Sequence, residues 1–290
     1  MRILVTGKEG QVGWELQRTL AVLGEVIVAD RSVIDLANPE QAAAAVRQIK
    51  PQVIVNAAAY TAVDKAESEE ALARSVNALT PGAMAAEAKK LGALFVHYST
   101  DYVFDGQAIQ PYLETDGVAP ASAYGRTKEE GEQLIRESGA NHLILRTAWV
   151  YGVRGKNFLL TMLRLAKERD RLRVVGDQVG CPTWSRMIAE ATAVLVARNS
   201  EVGVAETVNL TSQGQTSWHG FASAIVAEGA KLGLCKDIPV DAISTADYPT
   251  PAKRPPYSVL STKKLSERFG IELPQWDEAL KMCLGDLDRR

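Results

Sequence analysis

The sequence predicts an α/β fold, a doubly wound parallel sheet with a smaller mixed α/β lobe, and three observations carry that expectation. Short, continuously apolar runs alternate with amphipathic helical stretches through the first half of the chain, the pattern of a parallel sheet covered on both faces. A glycine-bearing turn follows the first apolar run and opens a helix, which makes the sheet Rossmann-like. Beyond residue 152 the alternation loosens and loops rich in proline and glycine separate the helices.

The first strand is RILVT (2–6), ended by glycine. A helix is expected over 11–24, because Val12, Leu16, Leu20 and Leu23 share one face. EVIVAD (25–30) is the second strand. PEQAAAAVRQIK (39–50) is helical, with Asn38 as N-cap and Pro39 at the first helical position. QVIVNAAA (52–59) is the third strand, running into small residues, and a long helix is expected from 69 to 91. ALFVHYST (93–100) is the fourth strand, 122–138 a helix, and 141–152 begins as the fifth strand. Helices near 157–169, 184–198, 218–233 and 275–285 follow, joined by loops such as GDQVGCPTW and YPTPAKRPP. The expected division is a dinucleotide-binding domain over residues 1–152 and a mainly substrate-binding lobe over 153–290, from which the chain can cross back into the sheet.

Across 290 residues, apolar types make up 46% and charged types 23%, a balance that excludes disorder. Lysine plus arginine (33) nearly cancels aspartate plus glutamate (35), so neither nucleic acid nor an anionic membrane is an expected partner. No apolar run approaches the roughly 20 residues of a membrane span, and the opening MRILVTG does not read as a signal peptide. Cys181, Cys235 and Cys283 are odd in number and widely spaced, which suits a reducing, cytoplasmic setting.

Gly7, Gly10 and Gly13 stand between the first strand and the first helix. Glycine lets the backbone turn sharply and approach a pyrophosphate, whose charge the helix N-terminus favours. Asp30 ends the second strand, where a carboxylate accepts bonds from ribose hydroxyls and opposes a 2′-phosphate; Arg31 beside it would attract that phosphate. The cofactor is therefore expected to be NADH or NADPH, with a lean toward NADH. The fourth strand ends in HYSTDYVFDG, and Ser99 and Thr100 lie where open α/β sheets bind ligands. Tyr124 and Lys128 in YGRTK are one helical turn apart. A phenol near pKa 10 is a poor proton shuttle near neutrality, and the expectation is that the Lys128 ammonium lowers it while Thr100 holds a substrate carbonyl.

These segments, with GQVGWEL, VNAAAYTAVDKAE, RTAWVYG and YPTPAKRPPYSVL, resemble over nearly the whole chain the extended short-chain dehydrogenase/reductases that act on nucleotide sugars. Within that family they are similar to the branch that reduces dTDP-4-dehydro-L-rhamnose to dTDP-L-rhamnose, the last step of that sugar's synthesis. The resemblance implies hydride transfer from NADPH or NADH to the C4 ketone; the alternatives are another nucleotide-linked 4-ketohexose or a non-catalytic, cofactor-binding regulatory subunit. It implies that Gly10, Gln11 and Val12 line the cofactor pyrophosphate, Asp30 its adenosine ribose, and Asp35 and Leu36 its adenine. Ala59, Tyr60, Thr61 and Tyr98 would pass along the cofactor. Thr100, Tyr124 and Lys128 would be the catalytic set, Asp101 and Trp149 would contact the sugar, and Arg254 the diphosphate.

Three further features narrow that reading. Sugar dehydratases of the family carry a carboxylic pair after the threonine, whereas Asp101 is followed here by Tyr102. Cys181 is the only candidate for an extra base of the kind epimerases need, and a lone loop thiol is more often structural. Some family members hold Mg²⁺ between subunits on glutamates. Glu15 is present, but Arg186 stands where a second glutamate is expected. A metal is therefore not expected, and the homodimer it would bridge is left open.

Overall fold

In the computed structural model, which describes residues 1–30, 33–199 and 203–289, the apolar runs form the strands β1 (Arg2–Thr6), β2 (Glu25–Ala29), β3 (Val53–Asn56), β4 (Leu94–Thr100) and β5 (Asn141–Thr147). Short strands follow: β6 (Val150–Tyr151), β7 (Leu172–Val175), β8 (Val179–Gly180), β9 (Thr183–Trp184), β10 (Ala205–Asn209), β11 (Thr216–Ser217) and β12 (Val240–Ile243). The helices are α1 (Gln11–Thr19), α2 (Pro39–Ile49), α3 (Val63–Ala66), α4 (Glu70–Arg74), α5 (Thr80–Leu91), α6 (Ala123–Glu137), α7 (Phe158–Glu168), α8 (Ser185–Asn199), α9 (Trp218–Lys231), α10 (Lys263–Phe269) and α11 (Trp276–Asp288).

The central sheet runs β10-β5-β4-β3-β1-β2 and every pairing in it is parallel. From β1 the chain moves outward to β2, then returns past β1 to β3. That reversal opens a crevice at the carboxyl ends of β1 and β3, where such sheets take ligands. Alternate residues of each strand serve opposite faces. Ile3, Val5, Val55, Val96 and Leu145 pack on one face with Leu16 and Leu20 of α1, Ile188 and Leu195 of α8 and Leu265 of α10. Leu4, Ile54, Phe95 and Ile144 pack on the other with Val46 of α2, Met84 and Ala88 of α5 and Ile135 of α6.

Local chemistry fixes the helix starts that matter for the site. Asn38 caps α2 by accepting from the Gln41 amide, with Pro39 at the first position, and Ser122 caps α6 by accepting from the Gly125 amide. The expected single helix over 69–91 is instead α4, a π-helical turn at Ser75–Leu79, and α5. The first helix ends at Thr19, short of the expected Gly24. Beyond residue 152 the chain crosses back, since α8 covers the sheet and β10 extends it beside β5. The lobe has its own core, in which α7, α9 and α11 enclose Tyr151, Leu159, Trp184, Phe221 and Leu284.

Candidate active site

The β1–α1 turn is built so that backbone, not side chain, forms the surface. Gly7 has φ +75°, and a Cβ there would lie 2.8 Å from the Ala57 carbonyl carbon and the Ala58 nitrogen. A Cβ on Gly13 would lie 2.1 Å from the Gly7 carbonyl oxygen, so Gly13 packs α1 onto the turn and does not itself line the cleft. The α1 N-terminus has no side-chain cap and no acid in its first turn; its free N–H groups and dipole suit a phosphate. Around this turn lies a cleft of about 1020 Å³, lined by Gly7, Gly10, Gln11, Val12, Asp30, Asp35, Leu36, Ala59, Tyr60, Thr61, Tyr98, Tyr124 and Lys128 among others. The glycine cradle and uncapped helix start fit a dinucleotide. Gln11 also joins the two halves of the chain, donating to the Val150 carbonyl and accepting from Asn157.

Two of these residues differ from expectation in what they face. The Asp30 carboxylate pairs with Lys8 Nζ at 2.7 Å, so it does not present the bare negative charge that would oppose a 2′-phosphate. A half-exposed pair of this kind is weak and can open toward a ligand. Arg31 lies outside the described residues. The Tyr98 hydroxyl turns into the core and bonds Thr192 of α8 at 2.7 Å; only its ring and backbone face the cleft.

Tyr124 stands in the first turn of α6, its hydroxyl bonded to Thr100. Thr100 in turn donates to Asp101 Oδ1 at 2.9 Å. Burial pushes the phenol above its ordinary range; the Thr100 bond opposes this and the Asp101 charge reinforces it. The expected lowering by Lys128 is therefore corrected. The Lys128 amine points away, 2.9 Å from His97 Nε2 and 2.5 Å from the Tyr98 carbonyl oxygen. Burial lowers it to about 7, with Glu132 pulling the other way. Asp101 is raised to about 6 by burial, against hydrogen bonds from Ser258 and Thr100. A corner of this kind holds a protonated phenol beside a hydroxyl, which is the equipment for protonating a carbonyl oxygen.

Of the residues expected at the nucleotide sugar, Asp101, Trp149 and Arg254 do not line the dinucleotide cleft, whereas Tyr124 does. Trp149, at φ +47°, stacks on Trp218 with centroids 3.6 Å apart, and its ring closes over Gly180. A non-glycine residue in that region costs of order 1–3 kcal/mol, which the aromatic stack helps to offset. Arg254 donates to Asp64 at 2.9 Å and to the Tyr102 hydroxyl at 3.1 Å. The Tyr102 ring meets Tyr124 edge-on at 5.6 Å. Thus Tyr102 ties Arg254 to the Thr100–Tyr124 corner. Cys181 donates to the Ser212 carbonyl at 2.8 Å, and burial pushes its thiol up to about 12, too high for a base.

A divalent cation does not fit the residues around Glu15. Arg186 pairs with Glu15 at 3.6 Å and also with Asp286, so a guanidinium already sits between the two carboxylates. Among the described residues no group of three or more histidine, cysteine or acidic side chains could hold a metal, and no helix is long and apolar enough to cross a membrane.

Sequence reading missed Lys8, Asn56, Asn77, His97 and Trp218. Asn77, in the π-helical turn, accepts from the Tyr60 amide, donates to the Tyr60 carbonyl and reaches Thr127 of α6, so it fixes the β3 loop to α6. The available signal for Asn56 and His97 was a polar residue inside an otherwise apolar strand, which demands a partner when buried.

Comparison with known proteins agrees with this architecture. Residues 1–289 match the family described as RmlD substrate binding domain. A dTDP-4-dehydrorhamnose reductase of Burkholderia thailandensis is 53% identical, with 99% of each chain covered. A crystal structure of a dTDP-4-dehydrorhamnose reductase from Clostridium acetobutylicum superposes with TM-score 0.91 at 41% identity, covering 99% of each chain. One from Bacillus anthracis, in complex with NADP, gives 0.89 at 34% identity over 98% of this chain and 99% of that one. With the parallel sheet, the glycine turn and the Thr100–Tyr124 corner in place, the chain belongs to the dTDP-4-dehydrorhamnose reductase family, within the extended short-chain dehydrogenase/reductases.

Proposed function

We propose that this chain reduces the C4 ketone of dTDP-4-dehydro-L-rhamnose to dTDP-L-rhamnose with NADPH or NADH, Tyr124 acting as proton donor. The observation that carries the reading is the Tyr124–Thr100 pair at the edge of a cleft made by the glycine turn. The reduced dinucleotide, when bound, supplies the hydride. Gly7, Gly10, Gln11 and Val12 hold its pyrophosphate, and Asp30 with Lys8 its adenosine ribose.

Burial keeps the Tyr124 phenol protonated at neutral pH, the state a donor needs before reaction. Thr100 donates to Asp101 Oδ1 and accepts from the Tyr102 amide, which fixes its hydroxyl beside the Tyr124 phenol. A positioned acid of this kind contributes about 10²–10⁴-fold. The Trp149–Trp218 stack offers a flat apolar wall to the sugar, and Arg254, held by Asp64 and Tyr102, keeps further N–H donors for a diphosphate. We place the enzyme in the cytoplasm, acting on a small nucleotide sugar. A homodimer would need contacts other than a metal bridge, because Arg186 already joins Glu15 and Asp286.

The test is incubation with dTDP-4-dehydro-L-rhamnose and NADPH deuterated at nicotinamide C4, then with NADH labelled likewise. The expected product is dTDP-L-rhamnose carrying deuterium at sugar C4. Cofactor oxidation no faster than in the absence of sugar, or product without that label, would overturn the reading.

A further inference from the structure

Four polar side chains run in a line beneath the cleft. Thr6 ends β1, and its register partner on β3 is Asn56, whose register partner on β4 is His97. The Thr6 hydroxyl lies 2.6 Å from Asn56 Oδ1, Asn56 Nδ2 lies 3.0 Å from His97 Nδ1, and His97 Nε2 lies 2.9 Å from Lys128 Nζ. Each of the four is 1% exposed or less. A buried polar row across an apolar sheet is costly unless every member is bonded, and this one ends on a residue of the proposed catalytic set.

The Asn56–His97–Lys128 part of the row admits two hydrogen-bond patterns. With Asn56 Nδ2 donating to Nδ1, the imidazole carries its proton on Nε2 and gives it to a neutral Lys128 amine. With the Asn56 amide turned over, Oδ1 accepts from Nδ1–H, and Nε2 accepts from a Lys128 ammonium. A neutral imidazole has one N–H, so the tautomer of His97 and the charge of Lys128 change together. Burial and the Lys128 charge hold the imidazole well below its ordinary range, which keeps it neutral in both patterns.

We propose that His97, backed by Asn56 and Thr6, is a positioning residue for Lys128: it holds the amine at the Tyr98 carbonyl and switches tautomer as Lys128 gains or loses a proton. The charged and titratable groups around the row are few. On α6 they are Lys128 itself, Tyr124 one turn before and Glu132 one turn after; Glu132 is paired with Arg146 of β5 and with Arg136. Asp101 follows β4, Tyr98 of β4 is bonded to Thr192 of α8, and on α5 Glu87 is engaged by Arg47 and Lys90. The neighbours from β1 and β3 are Thr6 and Asn56, which do not titrate.

The proposal rests on Lys128 serving the reaction, and the experiment separates the two. His97→Gln places an amide where Nε2 stands and can give or accept at Lys128. His97→Asn reaches only toward Asn56. His97→Leu reaches neither. If His97 positions Lys128, kcat should fall about ten- to a hundredfold in the Leu and Asn variants, the scale of a lost charge-assisted bond. The Gln variant should recover most of it, and KM for NADPH should move little. The pH at which kcat changes near neutrality should shift in the Leu and Asn variants. Equal losses in Gln and Asn would make His97 a core residue only and overturn the proposal, even if the Leu variant fails to fold.

A readout independent of turnover is the ¹⁵N spectrum of the chain's 3 histidines, with the His97 signal assigned by its loss in His97→Gln. Its two nitrogen shifts should exchange roles between about pH 6 and 8 without protonation of the ring, and Lys128→Met should abolish the exchange. Shifts that stay constant, or that titrate as an ordinary imidazole, would overturn the proposal. Full activity in Lys128→Met would instead sink the underlying reading of Lys128.

Discussion

At the β1–α1 turn the cleft surface is backbone, kept bare by glycines whose spacing is local in sequence. At the β4–α6 corner the surface is side chain, and β4 and α6 meet through two pairs, Thr100 with Tyr124 and His97 with Lys128, although the two elements are some 25 residues apart in sequence. The first region admits charge by exposing N–H groups. The second controls charge by burying it, pushing the Tyr124 phenol up and the Lys128 amine down. The two therefore fail in opposite ways: the turn through atoms added, the corner through single groups removed.

The largest effect expected short of Tyr124→Phe is that of Gly13→Val. Its Cβ would meet the Gly7 carbonyl oxygen at 2.1 Å, and backbone cannot yield as a flexible side chain would. NADPH binding, followed by fluorescence titration, should fall below detection, with a lowered Tm. An unchanged Kd would show that the turn does not cradle the dinucleotide.

Lys128→Met probes the other region. Turnover should fall by tenfold or more on the scale of a lost charged contact, while dinucleotide binding weakens less. Its stability has a definite sign. The folded-state pKa of about 7 lies below the ordinary 10.5, so burying this lysine destabilises the parent most below about pH 7. That penalty fades as pH rises from 7 toward 10.5. The variant should gain stability over the parent at pH 6 and show a smaller gain at pH 9, as measured by denaturant midpoints. A gain that grows with pH would contradict the burial argument.

Asp30→Ala should have the smallest effect. With Asp30 holding the ribose as proposed, the change should cost NADH affinity about tenfold and release Lys8 to pair a 2′-phosphate. Affinity for NADPH should hold or improve, checked by paired titrations. A parallel loss for both cofactors would mean that the Lys8–Asp30 pair shapes the loop and does not read the ribose.

Local patterns made the fold legible. The apolar runs at 2–6, 25–29 and 94–100 and the glycine turn needed no distant information. Ala205–Asn209 escaped notice because its five residues become a strand only beside β5, some sixty positions earlier. The same distinction runs through the site. The cleft residues were readable from the turn and from family motifs, whereas Asn56 and His97 acquire meaning only from the register of neighbouring strands. Spacing brought Tyr124 and Lys128 to one helix face but did not say where a long side chain ends. The amine reaches back to β4, and the phenol is governed by burial and Thr100. Similarly, Arg254 and Trp149 were recognisable as residue types, but their partners Asp64 and Trp218 lie far off in sequence.

The central claim is that Tyr124 gives the proton. Tyr124→Phe deletes one hydroxyl and leaves the ring against Tyr102. Turnover on dTDP-4-dehydro-L-rhamnose should fall about 10²–10⁴-fold while NADPH affinity and Tm stay near those of the parent. Turnover within about threefold of the parent, far short of what a general acid contributes, would contradict the account.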